Sequence, residues 1–132
     1  MKITLNGEPI SIRRNQQVLN NKGRAVLIPS KEYRDYKQGC IEQIRAQGAA
    51  NVVTEAVNLR CTFFLKRYKY VSLNEMIESV CDILKEAGVI AGVHSGIVKA
   101  TDYSRIEYDS LNPRAEIVIT PMYETEDEKW TI

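Results

Sequence analysis

A strong charge of either sign is missing from this chain. Eighteen lysines and arginines face 17 acids, a net charge of +1 over 132 residues. Bulk charge therefore gives no reason to expect a polyanionic partner, and only local clustering of cations can supply one. Cysteine is sparse: Cys40, Cys61 and Cys81 are odd in number, widely spaced and without a CxxC pair. That argues against a disulfide framework and against zinc, and points to buried free thiols in a reducing compartment. The one histidine, His94, has no cysteine or carboxylate at nucleophile or zinc spacing and reads as a loop residue. Ser95-Gly96 lacks the Gly-x-Ser-x-Gly frame of a nucleophile elbow. Gly92-Val93-His94-Ser95-Gly96 lacks the Gly-Lys-Ser/Thr ending of a phosphate loop. No apolar run is long enough to span a membrane and no signal peptide is recognisable, so the expected location is the cytoplasm. Internal repeats and low-complexity tracts are absent as well.

What is present is an ordinary globular balance, 44% hydrophobic and 27% charged. The length suits one domain with a real core. We assign it to residues 1–123, followed by an acidic tail over 124–132 that is expected to fray.

The most informative stretch runs from Phe63 to Gly88. It reads as the end of a strand, a basic turn and a helix. Leu73, Met76, Ile77, Val80, Cys81, Leu84 and Ala87 fall on one face at a 3.6-residue period. Ser72 and Glu75 stand at capping-box spacing, each able to satisfy a free amide of the first turn. Gly88 stands where the helix should stop. Lys66, Arg67 and Lys69 therefore lie just ahead of a helix N-terminus, a place suited to an anion.

Around this unit the chain predicts a strand from Lys2 to Leu5, a turn at Asn6-Gly7-Glu8-Pro9 and a returning strand from Ile10 to Ile12. Residues 13–24 carry Arg13, Arg14, Lys22 and Arg24 among Asn and Gln, and read as an exposed mobile loop, either a plain connection or a phosphate-contacting arm. Ala25-Val26-Leu27-Ile28 is a short apolar run. Ser30 then caps a helix with Tyr33, Tyr36 or Lys37, Cys40, Ile41 and Ile44 on one side, fading near Gly48. Asn51 to Lys66 reads as a long strand. Past the central helix, Ile97–Ala100 and Arg105–Tyr108 are strand fragments, Leu111-Asn112-Pro113 a turn, and Arg114–Thr120 a closing strand.

Lys66-Arg67-Tyr68-Lys69, Val80-Cys81-Asp82-Ile83-Leu84, Ala87-Gly88-Val89-Ile90, Tyr103-Ser104-Arg105-Ile106 and Asn112-Pro113-Arg114-Ala115-Glu116-Ile117 follow one another in an order and spacing that resemble the phage-type branch of the RusA family of Holliday junction resolvases. The likeness is best from Lys66 to Ile119 and weaker over Pro29–Arg34. It implies an α/β (α+β) domain, a small mixed sheet with two main helices packed on it. It also implies a homodimer, to which the exposed edge expected of such a sheet also points. Family members cut four-way DNA junctions with Mg²⁺ in recombination and repair. They use aspartates at the start of the central helix and an acidic pair in the loop after it, because phosphodiester hydrolysis needs hard cations held by carboxylates.

This chain departs from that pattern at the site itself. The helix-start positions are Ser72 and Asn74, the loop pair is Gly92 and Val93, and a family lysine is replaced by Glu78. Glu75 and Asp102 are the remaining acids that could hold a metal, though Glu75 also serves the cap and Glu78 reads as a solvated face. Asp82 reads as a surface or hydrogen-bonding residue. What the departures leave is binding: Arg13, Arg14, Lys22, Arg24, Lys66, Arg67 and Lys69 as a cationic surface, with Tyr68 and Tyr70 placed to stack on unpaired bases, or else one to pack in the core and the other to cover a strand edge. The expected function is binding of branched DNA with cleavage weak or lost. The alternatives are an active Mg²⁺-dependent junction resolvase and, below it, a phage accessory module that binds protein.

Overall fold

Alternation of apolar and polar side chains along residues 57–65 sets the centre of the molecule. The computed structural model describes residues 1–49, 52–91 and 96–122. Its elements are β1 (Lys2–Asn6), β2 (Gln16–Asn21), β3 (Arg24–Pro29), α1 (Lys31–Ala46), β4 (Val57–Leu65), α2 (Leu73–Glu86), β5 (Val98–Ala100), β6 (Arg105–Tyr108) and β7 (Arg114–Pro121). The main sheet has five strands, in the order β1-β7-β4-β5, with β6 also pairing β4. β7 is antiparallel to β1 and β4, while β5 and β6 run parallel to opposite ends of β4. A small α+β domain results: a mixed sheet with two helices packed on one face.

Every second residue of β4, namely Val57, Leu59, Cys61, Phe63 and Leu65, is buried. Ile3 and Leu5 of β1 and Ala115, Ile117 and Ile119 of β7 share that face. Met76, Ile77, Val80, Cys81, Ile83 and Leu84 of α2 cover it, with Cys40, Ile41 and Ile44 of α1, in one contiguous cluster. Both helices start as their sequences predict. The Ser30 hydroxyl accepts the Tyr33 amide at 3.2 Å, and the Ser72 hydroxyl accepts the Glu75 amide at 3.3 Å. Gly88, at φ 78°, follows the α2 C-cap.

Three expectations are corrected. Ile10–Ile12 does not return as a strand. Gly7 (φ 106°) donates to the Pro113 carbonyl, Pro9 lacks an N–H, and the Ile12 amide goes instead to Ser79 Oγ on α2 at 2.8 Å. No sheet edge awaits it either. The outer edge of β1 is occupied by α1: Gln47 pairs both the N–H and C=O of Thr4 (3.0 and 2.8 Å), and Gln43 does the same for Asn6 (2.6 and 3.2 Å). This edge of the sheet is thus covered by side-chain amides.

Secondly, the segment 13–24 is not simply a loop. Gln16–Asn21 pairs antiparallel with Arg24–Pro29, and Lys22 (φ 52°) and Gly23 (φ 78°) make the two-residue turn. Positive φ at both positions matches the right-handed twist of a hairpin. Thirdly, β4 begins at Val57 rather than Asn51. Opposite Val57 stands Pro121, which has no N–H to carry the ladder further, and Val53 makes only an isolated bridge to Ile90. Asn51, Gly92, Val93, His94 and the tail 124–132 lie outside the described residues. None of the described helices is long and apolar enough to cross a membrane.

Phe63→Ala removes a ring from the middle of this core. It should cost about 3–5 kcal/mol of stability, read as a lowered midpoint in urea with m unchanged.

Candidate nucleic-acid interface

α2 begins where the basic turn after β4 ends, and the capping geometry decides what its first residues can do. Ser72 is committed to the cap. Asn74 is exposed and uncharged. Glu75 does not make the reciprocal half of a capping box. Its Oε2 instead accepts from Arg14 Nε at 3.2 Å, and one turn on both oxygens of Glu78 accept from Arg13 Nε at 3.2 and 3.1 Å. The segment carrying these arginines is fixed to the helix by Ser79, whose hydroxyl accepts from Ile12 and donates to the Glu75 carbonyl at 3.0 Å. An open depression of about 550 Å³ results, lined by Ile12, Arg13, Arg14, Gln16, Glu75 and Glu78. Two carboxylates that could draw in a cation are thus met by two guanidinium groups. Among the described residues no three His, Cys, Asp or Glu side chains come together. Asp102 stands at the other end of β4, its amide bonded to Asn58 at 2.8 Å.

The predicted cations separate into three places. Arg13 and Arg14 lie against α2. Lys22 and Arg24 sit at the turn of the β2–β3 hairpin, roughly 17 Å along the strand from Gln16. Lys66, Arg67 and Lys69 form the turn before α2. That turn is held by a residue the sequence reading did not select, Glu8. Its Oε2 accepts the Lys66 amide at 2.6 Å and its Oε1 the Lys69 ammonium at 3.2 Å. Burial works against the Glu8 charge, but the Lys66 amide and Lys69, with Arg67 nearby, prevail and hold its carboxyl below the usual range. A glutamate in a turn 58 residues away carries no local signal of this role. Lys66 and Arg67 are exposed, and among the described residues neither side chain has a carboxylate partner.

The tyrosines of this turn do not enter the core. Tyr68 is 73% and Tyr70 96% exposed. The Tyr68 ring stacks on Tyr108, at the end of β6, with centroids 4.9 Å apart and planes at 26°. Tyr70 stands edge-on to Tyr68 at 6.2 Å. Tyr108, 43% exposed, is a second member that was missed. Its position opposite Leu65 follows only from the parallel register of β6 on β4. The result is an aromatic platform beside two cations that have no carboxylate partner among the described residues.

The three cysteines do not offer a thiolate. Burial pushes the Cys40 and Cys81 thiols up to about 11, and Cys61 higher still. Asp82 is a hydrogen-bonding residue: it accepts from Tyr33 at 3.0 Å and pairs with Lys37 at 3.0 Å, joining α1 to α2. No family model matches the chain, and no curated protein matches it.

The Glu8 link predicts a pH effect. Its folded pKa lies below the ordinary value of 4.5, so its stabilisation is present above that pH and is lost as pH falls through the folded value. Glu8→Gln should flatten the acid limb of stability below about pH 4.5 and loosen amide protection at Lys66, measured by hydrogen exchange.

Proposed function

We propose that this protein is a RusA-like homodimer that binds branched DNA without cutting it. The observation that carries the reading is the exposed Tyr68–Tyr108–Tyr70 group beside Lys66 and Arg67. Aromatic faces stack on any base and contribute about 1–3 kcal/mol each, while neighbouring cations take the phosphates. Bases at a four-way junction are more easily unstacked than those of a continuous duplex, so a platform of this kind favours the branch point. Two-fold pairing of the chain would present the platform twice, matching a junction's symmetry.

The lack of cleavage follows from charge. Mg²⁺ sheds water reluctantly and needs converging acidic oxygens. Ser72 is engaged in the cap, Asn74 is neutral, and Glu75 and Glu78 are met by Arg14 and Arg13. A second reading, a protein-binding module, is favoured by one feature. Val18, Leu19, Val26 and Leu27 of the hairpin are all exposed, and their pairing Val18↔Leu27 and Leu19↔Val26 puts apolar side chains on both of its faces.

Tyr70→Ala should weaken binding to a four-way junction about tenfold. Arg67→Ala should weaken it and lower the salt slope by about one. Unchanged affinity and slope in both variants would remove the DNA reading in favour of the protein-binding one. Incubation of the junction with Mg²⁺ or Mn²⁺ should give no product. Robust cleavage, lost in Glu75→Gln or Asp102→Asn, would restore an active resolvase.

A further inference from the structure

The face of the sheet opposite the helices is uncovered, and its chemistry is uneven. Two adjoining depressions of about 310 and about 240 Å³ lie on it, and Arg60 and Tyr103 line both. The other cations here are engaged. Arg105 pairs with Glu107 at 2.9 Å. Arg114 binds Asp109 and Glu116, and covers the Phe64 ring at 3.8 Å. Arg60, between Asn58 and Thr62 on the outward side of β4, is exposed and among the described residues has no carboxylate partner.

Tyr103 is the second anomaly. Its φ of 68° lies in the left-handed region, where a side chain strains the backbone and Gly or Asn fits more easily. Yet its ring is 84% exposed, so packing returns nothing for the strain. The turn is braced from both sides. Asn58 bonds the N–H and C=O of Asp102 (2.8 and 3.4 Å). The Ser104 hydroxyl accepts from Cys61 and donates to the Leu59 carbonyl (3.0 and 3.3 Å). A braced mount thus holds an aromatic ring out beside a guanidinium that no described carboxylate pairs.

We propose that this open face binds single-stranded polynucleotide, with Tyr103 stacking on a base and Arg60 taking the adjacent phosphate. Each depression has one carboxylate on its lining, Asp102 in the smaller and Glu116 in the larger; Glu116 is paired with Arg114 and Arg105 lies beside it, so the phosphate is drawn toward the larger one. Thr120 in the smaller depression leaves a hydroxyl for a base edge. The site is distinct from the Tyr68 platform. Tyr103 lies in the turn two residues before β6 and Tyr108 at the far end of that strand, and Tyr108 falls on the other side of the pleat from Arg105. It does not depend on junction binding.

The test uses the full chain and fluorescent 15-residue oligo(dT), oligo(U) and an abasic strand of equal length. The wild type should bind the base-bearing strands about tenfold more tightly than the abasic one. The relative affinity of the first two tells DNA from RNA as the source. Tyr103→Gly should raise the melting temperature and weaken oligonucleotide binding about tenfold, a combination that a structural role cannot produce. Arg60→Ala should weaken binding and reduce the salt slope by about 0.7. A Tyr103→Gly protein that is less stable, or that binds as well as wild type, overturns the proposal, as does equal affinity for the abasic strand. Arg67→Ala serves as the control for the other site. It should leave oligonucleotide binding intact; if the wild type binds the oligonucleotides but no four-way junction, the preceding function fails and this one stands.

Discussion

The burial of β4 between β7 on one side and β5 and β6 on the other is the constraint on which the rest depends. Its inward side chains form the floor on which both helices rest, each buried apolar side chain contributing about 1.5–3 kcal/mol. Its outward residues, Asn58 and Arg60 among them, become the open face. Its end delivers the chain to the basic turn and then to α2. The Tyr68 platform exists because β6 runs parallel to the last turn of this strand and sets Tyr108 beside it. A central strand that slipped by one residue would exchange Arg60 for Cys61 and dissolve both surfaces at once.

Charge pairing then decides which cations are available. Arg13 and Arg14 were as plausible as Arg67 while only the chain was in view. In the fold their Nε groups meet Glu78 and Glu75 across an open depression, so part of their charge is already offset before a phosphate arrives. Exposed pairs of this sort add little stability, about 0–1 kcal/mol. Their consequence is electrostatic. They neutralise the start of α2, where a metal-dependent nuclease would concentrate negative charge, and leave Lys66 and Arg67 as the accessible cations at that end of the sheet.

Periodic, one-sided burial was legible in the sequence. α1, α2, the inward residues of β4 and the two serine caps follow from the 3.6 and 2.0 residue periods and the chemistry of free amides. β2 was not legible, because both faces of the hairpin are exposed and Gln, Asn, Val and Leu alternate with nothing. Ile10–Ile12 looked like a strand because its composition suits one, while the edge it needed was already filled by Gln43 and Gln47 from a helix over 30 residues away. At the candidate site, the basic turn and its tyrosines were visible. Glu8, Tyr108 and the pairing of Arg13 and Arg14 were not, because each depends on contacts between residues far apart in the chain.

The central claim is recognition of a branch point by an aromatic, cationic turn that needs no metal. Its most direct measurement is competition in EDTA between a four-way junction and a linear duplex of the same arms and length. The account predicts that the junction is retained at least about tenfold more tightly, from the added stacking of unpaired bases. Equal competition by the duplex, or junction preference that appears only when Mg²⁺ is restored, would contradict it.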